Sequence, residues 1–110
     1  MEAHTLMDLA GDMLSKAHGA SSGRAAHNLF GGREHTLQQT LIALVGEQIL
    51  HEHENPGEAT LQIVTGEIEL RSGDGSVTLA GGDYTVIPQA RHSVHANQDS
   101  VLLLTVVGTR

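Results

Sequence analysis

The residues of this chain that are best suited to chemistry fall into two clusters of possible metal ligands. The first cluster runs from Gly46 to Glu58 and contains His51 and His53, separated by one residue. Because residues i and i+2 of a β-strand point to the same face, these two imidazoles are predicted to aim at one point. A distant third imidazole would complete a ligand set that suits a divalent transition metal such as Zn, Fe, Ni, Mn or Cu.

The second cluster lies further along the chain, from Gly82 to Asn97, and contains His92. The chain has no cysteine, so thiolate ligands and disulfides are excluded. A metal site built from these clusters is therefore of the all-histidine type or of the mixed histidine and carboxylate type.

Length and charge limit the class of protein. A chain of 110 residues has room for one domain. The formal net charge is −7 and the six basic residues are scattered singly, so we expect neither a nucleic-acid partner nor binding to an acidic membrane surface. There is no apolar run near the roughly 20 residues that cross a bilayer, and the N-terminus lacks the pattern of a secretory signal. We therefore expect a cytoplasmic protein.

The N-terminal unit, residues 1–24, is predicted to be a helix followed by a loop. Residues 4–18 carry apolar side chains at the spacing of an amphipathic helix, with Thr5 placed to cap it and Asp8 three residues further on. The loop at 19–24 is rich in glycine and serine. The apolar stripe of the helix has to be buried, either on the rest of the domain or on a second subunit.

The remaining residues, 25–110, have the pattern of short β-strands separated by glycine and proline. The segment 67–80 is predicted to be a hairpin, because residues 67–71 alternate and a Gly-Asp-Gly tip follows. Short antiparallel strands at this spacing predict an all-β sandwich or barrel, and the 2% aromatic content predicts a core of Leu, Ile and Val. The predicted strands cover 25–31, 35–45, 47–53, 59–65, 67–72, 76–80, 84–87 and 100–107.

At the two ligand clusters the sequence resembles the cupin family, over roughly residues 35–107. The first cupin motif is matched at Gly46, His51, His53 and Gly66, and the second at Gly82, Pro88, His92 and, loosely, Asn97. The resemblance implies a jelly-roll β-barrel of the RmlC-like type at 25–110. It also implies that His51, His53 and His92 point inward at a divalent transition metal.

Two departures from the cupin motifs bear on the ligand set. Ala59 stands where the first motif has its glutamate, and the neighbouring Glu58 faces the metal only if the preceding turn or a bulge re-aims it. His92 lies one residue closer to Pro88 than in the family, and Ala90 replaces the usual glycine. The predicted site is thus three histidines with water, or with Glu58, and the alternative is a degenerate barrel that binds metal poorly.

Two functions remain open from the sequence. One is a metal-dependent oxygenase or isomerase acting on a small molecule, although no catalytic residue is evident and no second acid–base pair is seen. The other is a non-catalytic module that senses a ligand or a metal and acts through a protein partner. The resemblance, together with the exposed edges of a small sandwich, also leads us to expect a homodimer.

Overall fold

A computed structural model describes residues 1–53, 57–73 and 75–108, and of Glu52 and His53 it describes the backbone alone. Within these ranges the chain forms one helix and nine strands. In chain order the elements are α1 (Leu6–Gly19), β1 (Arg24–Phe30), β2 (Leu37–Leu44), β3 (Ile49–His53), β4 (Glu58–Thr65), β5 (Glu67–Ser72), β6 (Gly75–Ala80), β7 (Tyr84–Val86), β8 (His92–Ala96) and β9 (Ser100–Val107).

The strands form two antiparallel sheets that enclose an aliphatic core. Sheet A has the order β1-β2-β9-β4-β7, and sheet B has the order β3-β8-β5-β6. Alternate residues of both sheets point inward, among them the fully buried Leu44, Ile63, Ile68 and Leu102. The two aromatic residues stay at the surface, as Phe30 and Tyr84 are exposed. The predicted all-β fold with an aliphatic core is confirmed.

Helix α1 packs against the outer face of sheet A. Its buried residues Ala10, Met13 and Ala17 form a second apolar cluster with outward-facing strand residues such as Leu41 and Val101. The helical stripe is therefore buried on the domain's own wall. No helix in the described residues is both long and apolar enough to cross a membrane.

The predicted capping of this helix is corrected by the structure. Thr5 is the N-cap residue, but its side chain makes no capping hydrogen bond. Instead the Thr5 carbonyl accepts hydrogen bonds from the backbone N–H groups of Asp8 and Leu9, at 3.1 and 3.2 Å.

The hairpin predicted at 67–80 is present, since β5 and β6 pair in antiparallel register from Glu67 opposite Ala80 to Ser72 opposite Gly75. Gly66 and Gly82, which match the two motifs, have φ angles of 96° and 92°. Such left-handed backbone conformations strain other L-residues.

Strand β8 was not among the predicted strands. It lies between β3 and β5 in sheet B and pairs with both. His92, Val94 and Ala96 are its buried inward positions, and Ser93 and His95 alternate with them. This inner strand of the smaller sheet therefore carries polar residues on both of its faces.

Candidate functional site

The space between the two sheets contains a cavity of about 240 Å³. Seven of its eight lining residues are aliphatic and the eighth is His92, which is 1% exposed. A concave, mostly apolar space with one polar group is the usual form of a small-molecule site. The aliphatic lining consists of Ile42, Leu50, Leu61, Ile87, Val94, Leu102 and Leu104.

The tautomer of His92 follows from its contact with the loop before β8. Its Nδ1 lies 2.9 Å from the carbonyl oxygen of Ala90. A carbonyl oxygen can only accept a hydrogen bond, so Nδ1 is the donor in this contact. In the neutral imidazole this tautomer has its acceptor lone pair on Nε2.

A second cavity, of about 430 Å³, lies on the outer face of sheet B. It is lined by side chains from β3, β8 and β5 and by the turn that follows β5. Most of the lining is polar, and it includes two imidazoles and one guanidinium. The lining residues are Ile49, His51, Arg71, Ser72, Gly73, Ser93 and His95.

Hydrogen bonds hold several of these outer side chains in place. Arg71 Nε donates a hydrogen bond to Oε1 of Glu69, and Nη2 forms an ion pair with the same oxygen, both at 2.6 Å. The hydrogen bond from Arg71 is the main reason that the pKa of Glu69 lies below its usual value. On the neighbouring strand, Ser93 Oγ lies 3.1 Å from His95 Nε2, and Ser93 is 9% exposed.

Comparison with known proteins adds the fold family. No protein-family model and no curated protein matches the chain. Among solved structures, a protein of unknown function from Streptococcus pyogenes has a TM-score of 0.73 at 24% identity, covering 83% of this chain and 79% of its own. A cupin superfamily protein from Desulfitobacterium hafniense has a TM-score of 0.73 at 17% identity, covering 78% of each chain. The chain has the cupin fold.

A third neighbour is one part of a larger protein. It is the cupin-2 domain of an XRE-family transcriptional regulator from Enterobacter cloacae, with a TM-score of 0.67 at 15% identity. The similarity covers 79% of this chain and 98% of that domain. These structural similarities support the predicted RmlC-like jelly-roll fold. What chemistry the chain can perform has to be judged from its own residues.

The ligands predicted from the cupin motifs lie in different parts of the barrel. His92 lines the interior cavity, whereas His51 is exposed and lines the outer cavity. Glu58 is exposed at the start of β4, while its neighbour Ala59 belongs to the core. The inward position at the start of β4 is thus occupied by alanine. This agrees with the sequence, in which Ala59 stands where the first motif has its glutamate.

His53 holds the remaining position of the predicted set, and its side chain lies outside the described residues. Its backbone pairs with that of His92 across β3 and β8. Among the residues that the structure describes, no three His, Cys, Asp or Glu side chains gather to hold a metal ion. The described side chains therefore do not form a metal centre, and the role of His53 stays a prediction.

The separation of His51 from His92 follows from the geometry of β3. Leu50 faces the interior, so its neighbour His51 faces outward. The register then shifts between Leu50 and His53, from Leu50 opposite Val94 to His53 opposite His92. The rule that residues i and i+2 share a face applies to a regular strand, and a bulge interrupts it here.

The remaining motif residue, Asn97, lies outside both cavities. It is exposed, and its Nδ2 donates a hydrogen bond of 2.9 Å to Oε2 of Glu67. His95 lies on the face of β8 opposite to His92, where it lines the outer cavity. The grouping of His95 with His51 and Arg71 was not anticipated, because it depends on which strands are neighbours.

Proposed function

We propose that this cupin binds a small, mainly apolar molecule between its two sheets and acts as a binding or sensing module. The observation that carries the proposal is the cavity of about 240 Å³ with aliphatic walls and the single buried histidine His92. The walls favour an apolar body by excluding water from it. His92, as the polar residue of the lining, favours a ligand that also carries one polar group such as a hydroxyl or an acid.

The small number of titratable side chains in the interior cavity supports a binding role over a catalytic one. General acid–base chemistry on a bound molecule needs correctly placed groups that give and take protons. Of the described residues that line the interior cavity, His92 alone is titratable. One of the structural neighbours is the cupin-2 domain of a transcriptional regulator, which supports a regulatory role for this chain. A response in this chain would pass to a protein partner.

A metal-dependent function is the second candidate. It is supported by the Nδ1 contact of His92 with Ala90 and by the register that places His53 opposite His92. In this candidate His92 and His53 would hold a divalent transition metal. His51 and Glu58, the other ligands predicted from the sequence, are exposed and lie outside the interior cavity. The metal would supply Lewis-acid or dioxygen chemistry for an oxygenase or isomerase.

The experiment uses cyclohexanol as an apolar probe with one hydroxyl group. We expect its addition to shift the methyl NMR signals of Leu61, Ile87 and Leu102 in a saturable way. His92→Leu, which removes the polar group, should weaken binding several-fold, and Ile87→Phe, which fills the cavity, should abolish it. A matched control is His27→Leu on β1, where an exposed histidine is replaced.

Elemental analysis of the purified protein separates the two candidates. Metal at one equivalent per chain, lost in both His92→Leu and His53→Ala and kept in His27→Leu, would favour the metal-dependent function. Saturable binding of cyclohexanol to metal-free protein supports the proposed binding module. A protein that holds neither the metal nor the probe would contradict both candidates.

A further inference from the structure

We propose that the outer cavity of sheet B binds the phosphate group of a small molecule. The proposal concerns a site separate from the barrel interior and does not depend on the proposed function. It is carried by the convergence of two imidazoles and a guanidinium on one cavity of about 430 Å³. The hydroxyl of Ser72, in the same lining, donates its hydrogen bond to the carbonyl oxygen of Arg91 at 3.1 Å.

Pairing of three strands brings these donors together. Ile49 of β3 lies opposite His95 of β8, and Ser93 of β8 lies opposite Arg71 of β5. Directly paired residues of an antiparallel ladder share a face, and diagonal neighbours stay within reach of long side chains. The lining side chains of three neighbouring strands thus project from the same face of sheet B.

The charge of the lining favours an anion. The chain as a whole has 13 acidic and six basic residues, yet no described residue that lines this cavity is a carboxylate. Arg71 contributes a fixed positive charge, part of which its ion pair with Glu69 offsets, and two imidazoles line the same cavity. The described lining thus combines a cationic group with nitrogen-bearing rings and contains no carboxylate.

Glu69 stands beside Arg71 and outside the lining, where it orients the guanidinium. Its Oε1 accepts a hydrogen bond from Nε of Arg71 and forms an ion pair with Nη2, both at 2.6 Å. An arginine has five N–H donors, so this pairing occupies one edge of the guanidinium and leaves donors for a ligand. The contact between Ser93 and His95, at 3.1 Å, fixes a second part of the lining.

The shape of the donor set favours a phosphate over a carboxylate. A carboxylate is planar and is best bound by one arginine through two parallel hydrogen bonds. A phosphate group presents several oxygens, which suits donors that are spread over β3, β8 and β5 and not carried by one arginine. Ile49 gives the cavity one apolar edge, on which the carbon part of a phosphorylated molecule can rest.

The test is an NMR titration of the full chain with inorganic phosphate at constant ionic strength. We expect saturable shifts of the backbone amides at 71–73 and 93–95, and a dissociation constant at least tenfold weaker in Arg71→Gln and in His95→Gln. Arg33→Gln and His27→Gln, at exposed positions outside the lining, are the controls and should bind like the parent protein.

A double variant separates local recognition from overall charge. Glu69→Gln with Arg71→Gln keeps the net charge of the parent protein, so a loss of binding there reflects the missing guanidinium. Unchanged methyl signals of the interior would show that each variant is folded. Shifts that do not saturate, equal weakening in the two controls, or equal binding of acetate would overturn the proposal.

Discussion

His18 Nε2 lies 2.5 Å from Oδ2 of Asp99, although 81 residues separate the two in sequence. The other carboxylate oxygen of Asp99 accepts a hydrogen bond of 2.9 Å from the backbone N–H of Gly46. One carboxylate thus ties the last turn of α1 to the connection between β2 and β3. The hydrogen bond from Gly46, followed by that from His18, holds the pKa of Asp99 below its usual value.

This contact predicts a pH-dependent contribution to stability. A carboxyl whose pKa is lowered by folding stabilises the folded state above its unfolded pKa, near 3.8, and the contribution is lost as the pH falls through the folded pKa. We expect Asp99→Asn to lower the free energy of unfolding at pH 7 by about 1 kcal/mol, because the site is half-exposed and the charged hydrogen bonds are weakened.

Thermal unfolding of both proteins between pH 7 and pH 2.5 measures this effect. The difference between them should shrink steadily below pH 4. Asp12→Asn, at an exposed position on α1, is the matched control and should not change the profile. A difference that stays constant with pH would contradict the assignment of the effect to the Asp99 carboxylate.

Gly66 and Gly82 allow strain and steric contact to be measured separately. Their φ angles are alike, at 96° and 92°. A Cβ on Gly66 would clash with the carbonyl oxygen of Asp99 and would lie 2.6 Å from Ser100 Cα, whereas a Cβ on Gly82 would meet nothing within 4 Å. Gly82→Ala should therefore lower the free energy of unfolding only through the strained backbone conformation, by about 1–2 kcal/mol.

Gly66→Ala adds a clash with backbone atoms to that cost, so we expect it to destabilise the fold by at least about 3 kcal/mol. Urea unfolding of the two variants gives the comparison directly. Equal destabilisation of the two variants would mean that the backbone around Asp99 and Ser100 moves to make room for the new Cβ without a measurable cost in free energy.

Gly11 lies inside α1 at an exposed position, where an added Cβ would have no neighbour within 4 Å. Alanine loses less backbone entropy on helix formation, so Gly11→Ala should stabilise the protein by about 0.5–1 kcal/mol. Ala17→Gly in the same helix is the opposite control, because Ala17 is fully buried against the sheet. Calorimetry should show the two melting temperatures moving in opposite directions.

Sheet A has an apolar outward surface on which the homodimer expected from the sequence would form. Beyond the area covered by α1, the outward positions Leu37, Tyr84, Val86 and Val107 are large, apolar and exposed. Glu58 is the single charged residue among the described strand positions of this area. In a chain of net charge −7, a nearly uncharged face is where two copies can approach without repulsion.

We therefore expect light scattering to give twice the mass of the 11.6 kDa chain. Val86→Asp with Val107→Asp should convert the dimer to a monomer, because each introduces a charge into the apolar face. Thr78→Asp, on the exposed outer face of sheet B, is the control for added charge. A monomeric parent protein would refute the dimer.

Much of the fold follows from local patterns in the sequence. The helical stripe, the hairpin at 67–80 and the bends at Gly66 and Gly82 depend on residues close together in the chain. Strand β8 was missed for the same reason, because its sequence carries a histidine inward and polar residues outward and so lacks the alternation of a half-buried strand.

The sites were harder to predict because they depend on register and on strand order. The register shift between Leu50 and His53 has no signature in the residue types, yet it decides how β3 faces the barrel. The outer cavity combines β3, β8 and β5, whose adjacency only the folded sheet reveals. His92 was identified from its motif, whereas the aliphatic walls around it come from both sheets.

Strand β9 occupies the middle of sheet A, where it pairs with β2 on one side and with β4 on the other. During synthesis on the ribosome, β2 and β4 therefore emerge long before the strand that joins them. The edges of β2 and β4 that pair with β9 therefore stay unpaired until residues 100–107 have left the ribosomal exit tunnel. Sheet A is completed only after β9 has been synthesised. A translational pause before that point would lengthen the time in which the unfinished chain can aggregate.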